Sequence, residues 1–146
     1  MNAMLKLLSA LLVLLMLAGP GPAWSQEDSN EPTTRELVDE QLVRYRDELA
    51  LDDYQWAQVE IILRSDIRER VAIARRFGLD GSDASAANLE KKQVRALEKQ
   101  LKASRDYTEE RMKRYLDKPK FKEFKALQEQ IHDEFEARLE AARQVG

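Results

Sequence analysis

Apolar residues recur along this chain at helical spacing. Val38, Leu42, Tyr45 and Leu49 stand four, three and four positions apart, which lays one stripe along a helix. That stripe predicts a first helix from about residue 34 to 49. In a second, running to about Phe77, the residues Trp56, Val59, Leu63, Ile67, Val71, Ala74 and Phe77 share a face. Ile62 and Ile73 flank that face, and Ile61 points nearly opposite. A third helix is predicted over about 85–116, with Val94, Leu97, Leu101, Ser104, Thr108, Met112 and Tyr115 near heptad spacing. Its stripe is thin in the middle, where Ser104 and Thr108 replace large side chains. A fourth, over about 118–144, has the stronger face of Phe121, Phe124, Leu127, Ile131, Phe135 and Leu139. No segment alternates as a strand would. The expected class is all-α, about four helices with a long-helix antiparallel hairpin that a second subunit can complete.

The joints carry their own logic. In "LDDYQW", Asp52 is placed as N-cap, with Gln55 three positions on to return a bond to the cap's amide. Leu51 and Trp56 occupy the two positions of a hydrophobic staple. Asp52 and Asp53 also suit the positive end of a helix dipole. "YLDKPKF" repeats the scheme, with Leu116 before the cap Asp117 and Phe121 five positions after the leucine. Pro119 is tolerated because first-turn amides have no helical partner. Lys120 stands where Gln55 stood, so the reciprocal box is missing. "TTRE" reads as a further capping box led by Thr33, Gly78 as a terminator, and "GLDGSDAS" as a loop with Asp83 or Ser85 capping the next helix.

The first 25 residues change the picture of where this fold works. They hold one charged side chain, Lys6, an apolar run from Leu7 to Ala18, then "GPGPAWSQ". That order reads as a secretory signal cleaved near Ser25, with a run too short for a lasting membrane anchor. Residues 26–32 are polar and expected to be disordered, leaving 33–146 as a single helical domain in an exported, periplasmic protein. Cysteine is absent, so neither disulfides nor a lipobox anchor is expected. Few glycines and prolines occur after the signal, in keeping with long helices. Beyond Lys6 the chain carries 23 basic and 27 acidic residues, a balance that argues against nucleic-acid binding.

Leu51 and Gln55 match the Leu-Thr-x-x-Gln signature found at two helix starts in the LTxxQ family of periplasmic stress proteins, which includes spheroplast protein Y and CpxP. Asp52 replaces the threonine. In the second copy Leu116 matches, while Asp117 and Lys120 replace threonine and glutamine. Phe124 stands where members often carry an aromatic. The chain resembles that family over most of residues 26–146 in helix order and spacing. The resemblance implies a hooked hairpin dimerising into a curved cradle. It also implies ATP-independent binding of unfolded envelope proteins, or inhibition of a stress-sensor kinase.

The residues themselves offer little chemistry. His132 is the only histidine and falls at the edge of the fourth stripe. A zinc site wants three or four ligands, so no metal is assigned. Met112 and His132 fall about 15 Å apart in level along a hairpin, which disfavours a haem, and no cofactor is expected. The carboxylates read as solvated helix faces with basic partners at i+3 and i+4, and the chain is read as a non-enzyme. Charge is segregated. Arg111, Lys113, Arg114, Lys118, Lys120, Lys122 and Lys125 face only Asp117 and Glu123 within 111–125, whereas 27–48 holds eight acids and three arginines. Ile61, Ile62, Ile73 and Tyr107 exceed what a narrow seam needs. Together with the basic corner they are the candidate surface for unfolded or partner proteins. The leading expectation is a chaperone or stress adaptor acting as a homodimer. The alternatives are a regulator docking on the sensor domain of a membrane kinase and a structural coiled-coil protein of the envelope.

Overall fold

A computed structural model describes residues 34–79 and 83–145. The expected signal, the 26–32 segment and the Thr33 cap lie outside the described residues. Five helices succeed one another: α1 (Thr34–Leu49), α2 (Asp53–Arg76), α3 (Asp83–Ala87), α4 (Lys91–Met112) and α5 (Lys118–Val145). Among the described residues there is no strand. None of these helices is long and apolar enough to cross a membrane.

Side-chain caps set the helix starts. The Gln55 amide donates to Asp52 Oδ1 at 2.8 Å, and the Asp52 amide donates to Gln55 Oε1 at 3.2 Å. Leu51 and Trp56 are both buried beside them. Arg46 closes the corner from α1, pairing with Asp53 and lying over the Trp56 ring. At the start of α5 the Lys120 amide donates to Asp117 Oδ1 at 2.9 Å. Leu116 is buried and Phe121 half-buried there. The end of α2 is a Schellman turn: Leu79 N donates to Ala74 O and Gly78 N to Arg75 O. Gly78 takes the left-handed φ of 78° that a glycine at this position supplies.

The single helix expected over 85–116 is two helices. The chain turns at Asn88–Glu90, and the Glu90 amide donates to Gln93 Oε1 at 2.8 Å. Leu89 and Val94 are buried on either side, again the two positions of a staple. "LEKKQV" thus repeats the spacing of "LDDYQW". The long helix also ends early. Turns replace it after Met112, and Tyr115, placed on the apolar stripe by its spacing, is 46% exposed.

Hydrogen bonds and ion pairs between helices give the packing register. Arg64 reaches Asp39 and Arg75 reaches Thr34, so α1 and α2 run antiparallel. Thr108 meets Asp66, while Phe77 and Gly78 face Gln93, which makes α2 and α4 antiparallel. Lys125 pairs with Glu109, and Glu136 and Leu139 face Val94, so α4 and α5 are antiparallel too. Arg44 to Glu134 and Lys120 to Leu49 then close α5 back onto α1. The short α3 lies against α5. All four long helices turn their stripes inward, and Tyr45, Leu49, Leu63, Ile67, Leu97, Met112 and Phe124 are fully buried between them. Each buried aliphatic or aromatic side chain of this kind contributes about 1.5–3 kcal/mol relative to exposure.

Candidate functional site

The outer flanks of α2 and α4 form a groove rather than a ridge, because small residues occupy the positions that meet there. Ser65 and Ala72 on one helix face Ala103 and Ser104 on the other. Buried Asp66, Ile73 and Thr108 make the floor. Two large apolar side chains stand unburied along the edges, Ile61 at 72% and Tyr107 at 66% exposure. Arginines border them. Arg64 is engaged with Asp39 at 2.7 Å and Glu60 at 2.9 Å, and Arg76 with Glu69 at 3.1 Å. Arg111 lies over the Tyr107 ring at 5.6 Å. Among the described residues neither Arg111 nor Arg68 has a carboxylate partner.

Ile62 and Ile73, expected on this surface, are buried at 5% and 2% exposure. The apolar face of α2 is wider than one seam because it packs on α1 as well as α4. The flanking isoleucines are therefore core, and Ile61 alone of the three looks outward. Lys120 is likewise not a free surface cation. Its Nζ donates to Leu49 O at 2.6 Å and to Glu123 Oε2 at 3.1 Å. It satisfies a terminal carbonyl of α1 with a charge that suits the negative end of that helix. That is a use for lysine at a place where Gln55 stands in the other corner. Arg114, Lys118 and Lys122 are exposed, and Lys113 lies 3.6 Å from Glu110.

Beneath the groove a polar layer crosses the core. Thr108 Oγ1 donates to Asp66 Oδ1 at 2.7 Å, and Arg70 Nη2 lies 2.9 Å from Asp66 Oδ2, close but poorly aligned for a hydrogen bond. Tyr45, Gln41 and Gln128 are buried as well. Burial pushes the Tyr45 hydroxyl above its ordinary range, and the Arg70 charge opposes that shift. For Arg70 itself burial acts downward, but the Asp66 carboxylate and Tyr45 together outweigh it and hold the guanidinium charged. Sequence reasoning missed this layer. One signal was available: Thr108 on an apolar stripe needs a buried partner, and Asp66 sits between Ile62 and Ile73 on the facing flank.

His132 is half-buried with Nε2 2.9 Å from Glu136 Oε1. It lines a small cavity of 40 Å³ with Arg70, Leu101, Gln128 and Phe135. Among the described residues no three His, Cys, Asp or Glu side chains converge to hold a metal. Comparison of the chain with family models, with curated proteins and with solved structures gives no match.

Proposed function

We propose that this protein binds exposed segments of other polypeptides in the α2–α4 groove, without ATP or cofactor, as an envelope chaperone or stress adaptor. One observation carries the reading. Ile61 and Tyr107 stand exposed on facing helices of a groove whose edges are cationic. Exposed apolar surface bordered by charge marks an interaction site on a small protein. The apolar pair supplies contact area, while the arginines steer and orient. The export signal and the resemblance to the LTxxQ proteins support a periplasmic setting and a homodimer; light scattering at twice the chain mass is the expected result for the dimer.

The test is suppression of aggregation of several unrelated unfolding proteins by the purified protein. Ile61→Asp with Tyr107→Asp removes the apolar pair without touching the core. Suppression is expected to fall severalfold with helicity unchanged by circular dichroism. Full suppression by that variant overturns the groove as the site. The exposed Arg114, Lys118 and Lys122 favour one other reading, docking on a single acidic partner such as a kinase sensor domain. It predicts a saturable complex with one protein, abolished by reversing those charges, and no general suppression.

A further inference from the structure

Resting on the groove reading above, we infer that the groove selects extended segments carrying two carboxylates two residues apart beside an apolar side chain. The spacing comes from the register of α2 against α4. Asp66 and Thr108 are hydrogen-bonded across the interface and so lie at one level. Arg68 is two residues along α2 from that level. Arg111 is three residues along the antiparallel α4, in the opposite sense. At 1.5 Å per residue the two stems are about 7–8 Å apart along the groove. An extended chain repeats the same face every two residues, about 6.6–6.8 Å. The flexible arginine stems absorb the remainder. Tyr107 lies between the two arginines by the same measure, and Ile61 lies about 3 Å beyond Arg111.

Charge completes the assignment. Arg64 and Arg76 are already satisfied by carboxylates of this chain. Arg68 and Arg111 have none among the described residues. A guanidinium takes a carboxylate through paired hydrogen bonds, with more direction than a lysine offers. Arg111 is held over the Tyr107 ring, so less side-chain freedom is lost when it engages. Glu69, also at the groove, is matched by Arg76, and Asp66 by Arg70. The two unmatched charges are therefore both positive, and the complementary ligand is acidic.

Fluorescence anisotropy with two labelled peptides of about a dozen residues tests this. One carries aspartates at i and i+2 and a phenylalanine at i+4, with serine at the positions between, so that both carboxylates and the apolar side chain fall on one face of the extended chain, and the other replaces each aspartate by asparagine. The acidic peptide is expected to bind about tenfold tighter at low salt, with the difference shrinking as salt screens it. Arg68→Glu and Arg111→Glu, separately and together, should erase the difference while circular dichroism stays unchanged. Equal binding of both peptides, unaffected by Arg68→Glu, overturns the acidic preference; the groove reading then still stands on loss of suppression in Ile61→Asp with Tyr107→Asp. Absence of binding by either peptide together with absence of client suppression removes both. Inorganic polyphosphate that displaces the acidic peptide and loses affinity equally in Arg68→Glu overturns the proposal in favour of a phosphate-backbone ligand.

Discussion

Ala50 ends α1 with a φ of 47°, in the left-handed region. An L-residue with a Cβ pays roughly 1–2 kcal/mol there, and glycine avoids the clash at some cost in unfolded-chain entropy. Ala50→Gly is therefore expected to stabilise the protein by about 0.5–1 kcal/mol. Gly78 is the mirror case. It already supplies the left-handed residue after α2, and a Cβ added there would meet nothing within 4 Å. Gly78→Ala should thus cost about 1 kcal/mol through backbone strain alone, with no steric contribution. Urea denaturation midpoints at constant slope measure both, and shifts of the same sign in the two variants contradict the account. These two positions also separate what was legible from what was not. Gly78 announced its turn, because glycine at the end of an amphipathic run has few other uses. Ala50 announced nothing, since alanine favours helix and the left-handed turn is imposed by the burial of Leu49 and Leu51 on either side.

At the scale of elements, the stripes located α1, α2 and α5 closely, because each apolar face runs unbroken through its helix. The third stripe misled at both ends. Nothing in "ASAANLEKK" breaks a helix by composition. The division at Asn88–Glu90 arises because Leu89 turns inward and Gln93 satisfies the Glu90 amide. The thin middle of that stripe proved to be the meeting place of Thr108 with Asp66. Asp66→Ala leaves the largely buried Arg70 charge unmatched, and breaking such a pair is expected to cost about 3–5 kcal/mol. Replacing the whole group, Asp66→Leu with Arg70→Met and Thr108→Val, is expected to be neutral or stabilising by about 1–4 kcal/mol. The contrast between the single and the triple variant, read from thermal and urea unfolding, distinguishes a polar layer that adds stability from one that only fixes how α2 and α4 register. A triple variant as unstable as Asp66→Ala would assign the layer to stability.

At the scale of the molecule, the decisive contacts join residues far apart in the chain, which is why periodicity could not reveal them. Which of two adjacent isoleucines is covered depends on α1 and α4 both packing on α2, and only Ile61 is left facing the groove. The closure of α5 on α1 is the longest-range of these contacts. Arg44 spans it, with Nη1 and Nη2 at 3.0 and 3.1 Å from the two Glu134 carboxylate oxygens and Nε at 2.8 Å from Glu48. Partial burial pulls the Glu134 carboxyl upward, but the Arg44 hydrogen bonds, the Arg44 charge and a hydrogen bond from Gln130 together outweigh it and hold the group below its ordinary value. A carboxyl whose folded value is lowered contributes stability that is present above its unfolded value and lost as pH falls through the folded one. Glu134→Gln should therefore be less stable than the parent at neutral pH. The gap between them should close as pH drops below the ordinary glutamate range near 4.3, because a protonated glutamate then resembles the glutamine. The pair is partly exposed, so added salt should narrow the neutral-pH gap as well. Urea midpoints of both proteins across that pH range, at low and high salt, decide the matter. A gap unchanged by acid would mean that Glu134 joins α5 to α1 through packing alone, and that the closure of the bundle does not depend on this charge.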